Sequence, residues 1–189
     1  MTRNFSDEPV DDGSIEQLVA WAHRGPSAGN SQSLHVLVLR GPDVARYWGS
    51  TLSPEAREGF PWPGLLLAPV LLVPWVEPGR YVDRYSEPDK ARTGLGVGED
   101  AWSVPYWWVD GGAAVQSVLL GAEALGLGAC FFGQFEHEPV VRAQFGVPDG
   151  FRAVGTIAVG HRSPDGDRPS QSVRRGRRSR TETVHWGTW

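Results

Sequence analysis

The chain has 189 residues, a length sufficient for one domain with a substantial core. Its formal net charge is −4, and 21 % of its residues are charged. The acidic balance gives no reason to expect a nucleic-acid partner, and a single cysteine, Cys130, excludes an intrachain disulfide and a cysteine-based metal site. The polar N-terminus lacks the apolar region of a signal peptide, and the most apolar stretch, residues 65–76, is too short to span a bilayer. We therefore expect a cytoplasmic protein with no metal and no membrane partner.

The first forty residues predict a helix, a loop and a strand. Asp11, Asp12 and Ser14 can cap a helix over about residues 15–23, where apolar residues recur at helical spacing. Residues 25–32, here called the polar loop, are small and polar, and they expose N–H groups, hydroxyls and amides that could bind a ring system. A solvated connection is an equally good interpretation of that composition. Alternating apolar residues then predict a strand over 34–39.

The middle of the chain is less regular. We predict a helix over residues 42–52 and a buried strand over 70–76, which Pro74 should break or place at a sheet edge. Residues 79–108 then form a long stretch without clear periodicity, and they predict either a lid over a ligand or a cover on the core. This stretch is rich in aromatic side chains: Tyr81, Tyr85, Trp102, Tyr106, Trp107 and Trp108.

The stretch from Asp110 to Phe135 predicts a buried helix, a tight turn and a strand. Residues 112–125 carry almost no charge and are apolar around most of a helix, which indicates that the helix is covered on most sides. The following strand, over 129–132, ends at Gly133, and a glycine there allows a ligand to approach the backbone. Cys130 lies inside this apolar run, where a thiolate is disfavoured, so we predict a core residue and no nucleophile.

The C-terminal part predicts a helix over 138–145, a long strand over 151–159 and a polar tail. Seven arginines lie between residues 162 and 180, and the last six residues, 184–189, are apolar again. Such a basic cluster in an acidic chain points to an anion at one place. We expect the apolar end to dock on its own domain or on a second subunit.

Four segments, taken together and in this order, resemble the nitroreductase family of flavin-dependent oxidoreductases over nearly the whole chain. The resemblance implies an α+β fold with a mixed or antiparallel sheet flanked by helices, in one domain over residues 1–189. It also implies a homodimer that binds FMN at the subunit interface and exchanges the C-terminal extension, residues 161–189. The segments are TRNFSDEPV at 2–10, PSAGNSQ at 26–32, AEALGLGAC at 122–130 with Gly133, and FGVPDG at 145–150 before IAVG at 157–160.

The resemblance also assigns cofactor-binding residues, and the flavin then carries the chemistry without a separate catalytic residue. Arg3 matches a basic residue that faces the flavin, and the backbone N–H groups of Gly133 and Gln134 match donors near N5 and O4 of the ring. Arg175 and Arg177 match two basic residues that bind the phosphate, a role that suits paired guanidinium groups. The residues that match the lining of the ring are Pro26, Ser27, Ala28, Asn30 and Gln32.

The implied activity is the reduction of a nitroaromatic, quinone or similar flat acceptor by NAD(P)H through bound FMN, in a ping-pong reaction. Trp102, Tyr106 and Trp107 are candidates to bind a small aromatic substrate, although at least one of them is expected simply to pack. Three alternatives remain open: a flavin-sequestering protein with little turnover, another flavin oxidoreductase on the same scaffold (dehydrogenase, dehalogenase or flavin-fragmenting enzyme), and a nucleic-acid patch at residues 174–180, which gives only a small footprint.

Three features depart from the family pattern. Arginines that usually precede the opening motif and contact the phosphate are missing before Met1, so either the start lies upstream, or phosphate binding is weaker, or Arg174 and Arg178 compensate. Gln32 is followed by Ser33 rather than by proline and an aromatic residue. The aromatic segment 102–108 has no general counterpart, which leaves the substrate open.

Overall fold

The computed structural model describes the backbone of residues 1–189 and every side chain except that of residue 171. A five-stranded antiparallel sheet lies between two layers of helices, as the predicted α+β class requires. The strands are β1 (Leu34–Arg40), β2 (Val70–Val76), β3 (Gly128–Phe132), β4 (Arg152–Ala153) and β5 (Thr156–Gly160). The helices are α1 (Asp12–Ala22), α2 (Pro42–Thr51), α3 (Pro54–Glu58), α4 (Gly79–Ser86), α5 (Tyr106–Ala124), α6 (Glu138–Phe145) and α7 (Arg180–Thr183).

The strand order is β1-β2-β5-β3, and β4 also pairs with β2. Every residue of β2 is buried, and because side chains alternate along a strand, β2 supplies both faces of the sheet. Leu71, Val73 and Trp75 pack with residues of α2 and α6, on what we call the α2 face. Val70 and Leu72 pack with α1 and α5, on the α5 face.

Pro74 neither breaks β2 nor places it at an edge, so that prediction was wrong. β2 is a central strand, in which Pro74 lies opposite Val36 of β1. Its carbonyl accepts a hydrogen bond of 2.9 Å from the Val154 N–H on the other side. Because the N–H and C=O of one residue point to the same neighbouring strand, the N–H that proline lacks faces β4–β5 and costs β1 no hydrogen bond.

The predicted long strand over 151–159 is also wrong, because it is divided into β4 and β5 opposite Pro74. Between the pairs Trp75–Ala153 and Leu72–Ile157, β2 has two intervening residues and the facing chain has three. This one-residue excess is a β-bulge, and Gly155 at φ +150° lies within it. The bulge therefore falls where β2 has no N–H to offer.

Residues 79–108 are more regular than their composition indicates. They contain α4, three short 3₁₀ turns and the start of α5, which begins six residues earlier than the predicted 112. Tyr81, Trp102 and Trp107 of this segment form a buried cluster with Val76 of β2. The segment is thus packed on an aromatic core that joins it to the end of β2.

The apolar end of the tail, residues 184–189, does not dock on its own domain in this structure. The side chains of Trp186 and Trp189 are 87 % and 101 % exposed, and the other residues of the apolar end are exposed too. The expected docking of this end on its own domain is therefore not observed, and docking on a second subunit stays a prediction. Within the described residues, we find no helix with the length and apolarity needed to cross a bilayer.

Candidate functional site

The polar loop is held in place by α4 and α5. Asp110, in the second turn of α5, accepts two hydrogen bonds at Oδ2: one of 2.8 Å from the Ala28 N–H and one of 2.7 Å from the Tyr81 hydroxyl. Arg84 of α4 donates from Nε to the Gly29 carbonyl at 2.8 Å. A carboxylate and a guanidinium therefore fix the middle of the loop from two helices, and we call the Asp110 contacts the Asp110 clamp.

The loop also has an unusual backbone. Gly29, Asn30 and Gln32 have φ values of +63°, +59° and +50°, in the left-handed region that side chains other than glycine and asparagine rarely adopt. A Cβ on Gly29 would lie 2.7 Å from Cε2 of Tyr85, so a glycine is required there on two grounds. Such a conformation persists only where the surroundings impose it, and it is common at ligand sites.

The polar loop lines a cavity of about 250 Å³ near the start of β1. Four of its five predicted site residues, Pro26, Ser27, Asn30 and Gln32, contribute to the lining. The fifth, Ala28, contributes its backbone N–H to the Asp110 clamp. The amides and hydroxyls of the loop therefore do lie at one cavity.

A second group of predicted residues lies at the end of β3. Gln134 is only 3 % exposed, and its Nε2 donates to Thr156 Oγ1 at 3.0 Å. The Tyr47 hydroxyl lies 2.8 Å from the same oxygen, and burial raises the pKa of Tyr47 to about 12, so the phenol stays neutral. Gln134 Oε1 is buried and has no partner among the described residues.

Gly133 and Gln134 line a cavity of about 320 Å³ on the α2 face, which we call the aromatic cavity. Trp48 and Phe132 stack in its wall with ring centroids 5.6 Å apart. Cys130 is also in the wall, and its burial, which raises the pKa of the thiol, confirms the prediction of a core residue. The remaining lining residues are Arg3, Tyr47, Thr51, Leu52, Phe60, Trp62, Leu65, Phe131 and His137.

Arg3 connects the aromatic cavity to a groove lined by arginine side chains and by Asp167, whose Oδ1 accepts the Arg3 N–H at 2.7 Å. Its guanidinium lies over the Trp62 ring, 5.0 Å from the centroid. Arg3 also lines a groove of about 680 Å³ together with Arg168 and Arg177, here called the arginine groove. Arg175 is exposed and does not line it, so the structure brings one of the two predicted phosphate arginines to Arg3.

The structure does not bring the polar loop to the aromatic cavity within one chain. The loop leads into β1 and lies on the α5 face, whereas Gln134 follows β3 and lies on the α2 face. In the order β1-β2-β5-β3, two strands separate β1 from β3, which is about 14 Å at roughly 4.8 Å per strand. The predicted cofactor residues thus form two groups at two places.

The three aromatic residues predicted to bind substrate differ in exposure. Trp102 and Trp107 are buried against Tyr81, with ring centroids 5.7 Å and 5.9 Å from its ring. Tyr106, at the first turn of α5, is the exposed member of the three. Of these three candidates, therefore, only Tyr106 presents an exposed ring in this structure.

Sequence reasoning missed four residues of these sites: Asp110, Tyr47, Thr156 and Arg168. Asp110 is the only charged residue between 101 and 122, which is a signal that could have drawn attention to it. Arg168 belongs to the counted arginines but has no motif. Tyr47 and Thr156 are 109 residues apart, and only folding brings them together.

Comparison with known proteins defines the class to which this fold and these sites belong. The model of the Nitroreductase family matches residues 1–161, and the chain belongs to the nitroreductase family. A relative from Archaeoglobus fulgidus, provisionally named NADH dehydrogenase/NAD(P)H nitroreductase, is 25 % identical over 171 residues, covering 87 % of this chain and 82 % of the relative.

Solved structures show the same fold. A protein from Bacteroides thetaiotaomicron, with the same provisional name, superposes with a TM-score of 0.70 at 19 % identity, covering 100 % of this chain and 92 % of the other. A provisionally named nitroreductase from Desulfovibrio desulfuricans, solved in complex with FMN, gives a TM-score of 0.64 at 21 % identity, covering 100 % and 91 %. These likenesses confirm the antiparallel sheet flanked by helices.

Proposed function

We propose that this protein is an FMN-dependent oxidoreductase that uses NAD(P)H to reduce a nitroaromatic, quinone or similar flat acceptor. The observation that supports this most is that Arg3 lines both the aromatic cavity and the arginine groove. A flavin mononucleotide has a flat ring at one end and a phosphate at the other. Aromatic walls suit the ring, and guanidinium groups bind the phosphate through charge-assisted hydrogen bonds.

The residues present fit FMN on chemical grounds. Arg168 and Arg177 are available to hold the phosphate, and Arg3 lies between them and the ring pocket. Gln134 Oε1 is a buried acceptor and Trp48 Nε1 a buried donor, each without a partner among the described residues, and both can pair with polar atoms of a bound ring system. Bound at these residues, FMN would supply the hydride- and electron-transfer chemistry by which NAD(P)H, H⁺ and a quinone give NAD(P)⁺ and a hydroquinone.

The protein's own contribution is binding, orientation and exclusion of water. The backbone N–H groups of Gly133 and Gln134 would supply donors to the ring edge, a role that the family resemblance assigns to them. The stacked Trp48 and Phe132 rings would form an apolar surface beside the flavin ring. No side chain has to act as a general base for hydride transfer, because the cofactor would carry that chemistry.

We further propose that the complete site needs two copies of the chain. The polar loop and the aromatic cavity lie on opposite faces of the sheet, about 14 Å apart by strand spacing. A loop from one copy would complete the ring site of the other, and the exposed Trp186 and Trp189 would pack on the partner. In this proposal residues 1–189 form one FMN-binding domain, residues 79–108 carry Tyr106 toward the acceptor, and the tail 161–189 crosses the interface.

The test begins with the absorbance spectrum of the purified protein, with added FMN, before and after anaerobic NADPH or NADH. We expect a flavin spectrum that bleaches with one of the two nucleotides and returns with a quinone or a nitroaromatic. A bound flavin that neither nucleotide bleaches would favour the sequestering alternative. Absence of flavin binding would overturn the proposal and its site assignments together.

Two matched variants sharpen this test. Arg177→Ala removes a cation from the arginine groove, whereas Arg180→Ala removes another exposed cation outside it. Loss of FMN affinity in the first variant alone would support the groove as the phosphate site. Light scattering of the eluting protein, with and without residues 184–189, tests the dimer: we expect two chains in the full protein and dissociation in the shortened one.

A further inference from the structure

The end of β3 contains a buried acceptor that the protein itself does not satisfy. Gln134 is 3 % exposed, and its amide is oriented by one hydrogen bond, in which Nε2 donates to Thr156 Oγ1. The other end of the amide, Oε1, is buried without a partner among the described residues. A buried acceptor left unpaired costs about 1–3 kcal/mol, so such groups are rare unless a ligand or ion completes them.

The Gln134 amide is in contact with the Thr156 hydroxyl, which in turn contacts the Tyr47 hydroxyl. Thr156 accepts from Gln134, and Tyr47 lies 2.8 Å from the same Thr156 oxygen, so the three side chains form one buried chain of hydrogen bonds. Thr156 is fully buried in β5, and Tyr47 is buried in α2. In this structure Nε2 of the amide faces the Thr156 hydroxyl, and Oε1 is the end without a partner among the described residues.

The backbone around Gln134 is held in an equally definite shape. Phe135 has φ +45°, a conformation that a bulky residue adopts only under constraint, and its ring is 83 % exposed. That ring lies back over Gly133, where a Cβ would come within 2.8 Å of it. The turn thus directs the Gln134 side chain inward to Thr156 and the Phe135 ring outward.

We propose that Gln134 Oε1 accepts a hydrogen bond from the ring N–H that a flavin acquires on reduction, and that Thr156 and Tyr47 are the residues that position it. This inference rests on the proposed function, which places the ring edge bearing N5 beside Gly133 and Gln134. Oxidised flavin has no hydrogen at N5, whereas reduced flavin does. Gln134 Oε1 would therefore gain a hydrogen-bond donor at N5 only when the ring is reduced.

The consequence is a difference in affinity between the two redox states. One neutral hydrogen bond made only in the reduced complex favours reduced FMN by about tenfold. By linkage, a tenfold ratio raises the two-electron reduction potential of the bound flavin by about 30 mV. The proposed role of Gln134 can thus be measured as a change in the reduction potential of the bound flavin, without an assay of turnover.

The experiment compares Gln134→Met, which keeps length and loses the acceptor, with wild type and with Gln17→Met on the exposed side of α1. Dissociation constants for oxidised and for chemically reduced FMN are measured, and the potential is measured against a reference dye. We expect Gln134→Met to lose about tenfold in the preference for reduced FMN and about 30 mV in potential. Gln17→Met should match wild type in both.

Two further variants separate positioning from packing. Thr156→Val removes the hydroxyl that orients the amide and should lower the potential in the same direction, whereas Thr156→Ser keeps the hydroxyl and should restore it. If Gln134→Met weakened both redox forms equally and left the potential unchanged, Gln134 would be a packing residue and the inference would fall. Wild-type protein that bound no FMN in either form would overturn the proposed function and this inference with it.

Discussion

The Asp110 clamp is the contact whose removal should most disturb the polar loop. In the variant Asp110→Ala, the Ala28 N–H and the fully buried Tyr81 hydroxyl lose a common acceptor, at 2.8 Å and 2.7 Å. Hydrogen bonds to a charged group contribute about 1.5–3 kcal/mol each. Because the two bonds share one oxygen, they should add incompletely, and we expect the free energy of unfolding to fall by about 2–4 kcal/mol.

Urea denaturation followed by tryptophan fluorescence measures this loss directly. Asp110→Asn keeps an acceptor oxygen without the charge and should lose roughly half as much. Asp12→Asn is the matched control, because Asp12 is 71 % exposed and forms a surface ion pair with Arg40, so its loss should stay within about 0.5 kcal/mol. A double-mutant cycle of Asp110→Asn with Tyr81→Phe isolates the bond between the two side chains.

The clamp should also matter for the ligand, since it shapes the loop that we assign to the ring site. We expect Asp110→Ala to bind FMN more weakly than Asp12→Asn at a temperature where both are folded. A loss of stability below about 0.5 kcal/mol, or a coupling with Tyr81 near zero, would refute the reasoning, because a partly buried carboxylate with two close donors cannot be without effect if the bonds exist.

Three other measurements follow from the structure. Gly29→Ala should lose about 1–2 kcal/mol more stability than Gly146→Ala, because both glycines have left-handed φ values of +63° and +66° but only at Gly29 would a Cβ meet another residue, Tyr85; equal losses would show that Tyr85 simply moves aside. Burial raises the pKa of Tyr47 from 10.0 to about 12, so above pH 10 the unfolded chain loses this proton first, and stability should fall by up to about 3 kcal/mol as the pH rises through 12. Tyr47→Phe should remove that part of the alkaline loss in pH-dependent denaturation, and identical pH profiles would contradict it. Arg177→Ala should bind riboflavin as wild type does while binding FMN at least about tenfold more weakly, since only the phosphate needs the guanidinium; an equal loss for both ligands would place Arg177 elsewhere than at the phosphate.

Much of the fold follows from local patterns in the chain. The strand at β1 and the helix at α6 were predicted within a residue of their bounds, because alternating or helical spacing of apolar residues needs no knowledge of the rest of the chain. Asp11 caps α1 as predicted, with its carboxylate accepting the Ser14 N–H at 2.8 Å. The family resemblance, carried by short motifs, added the layer architecture that periodicity alone does not specify.

The errors lie where a distant partner decides the local structure. Pro74 would weaken an isolated strand, yet it is central here because the bulge before Gly155 falls on the side where its N–H is missing. The early start of α5 likewise depends on tertiary contacts. Trp107 packs against Tyr81 in a buried cluster, and this burial stabilises a helical turn that the local sequence pattern does not predict.

The chemistry of the candidate sites divides in the same way. The sequence by itself determined which residue types are available: a polar loop of amides and hydroxyls, a glycine at a strand end and an excess of arginines. Only the tertiary structure decided that Arg177 and Arg168, but not Arg175, reach the groove beside Arg3. It also decided that Gln134 meets Thr156 and Tyr47, because hydrogen bonds across the sheet depend on strand order and register, which no local pattern of residues encodes.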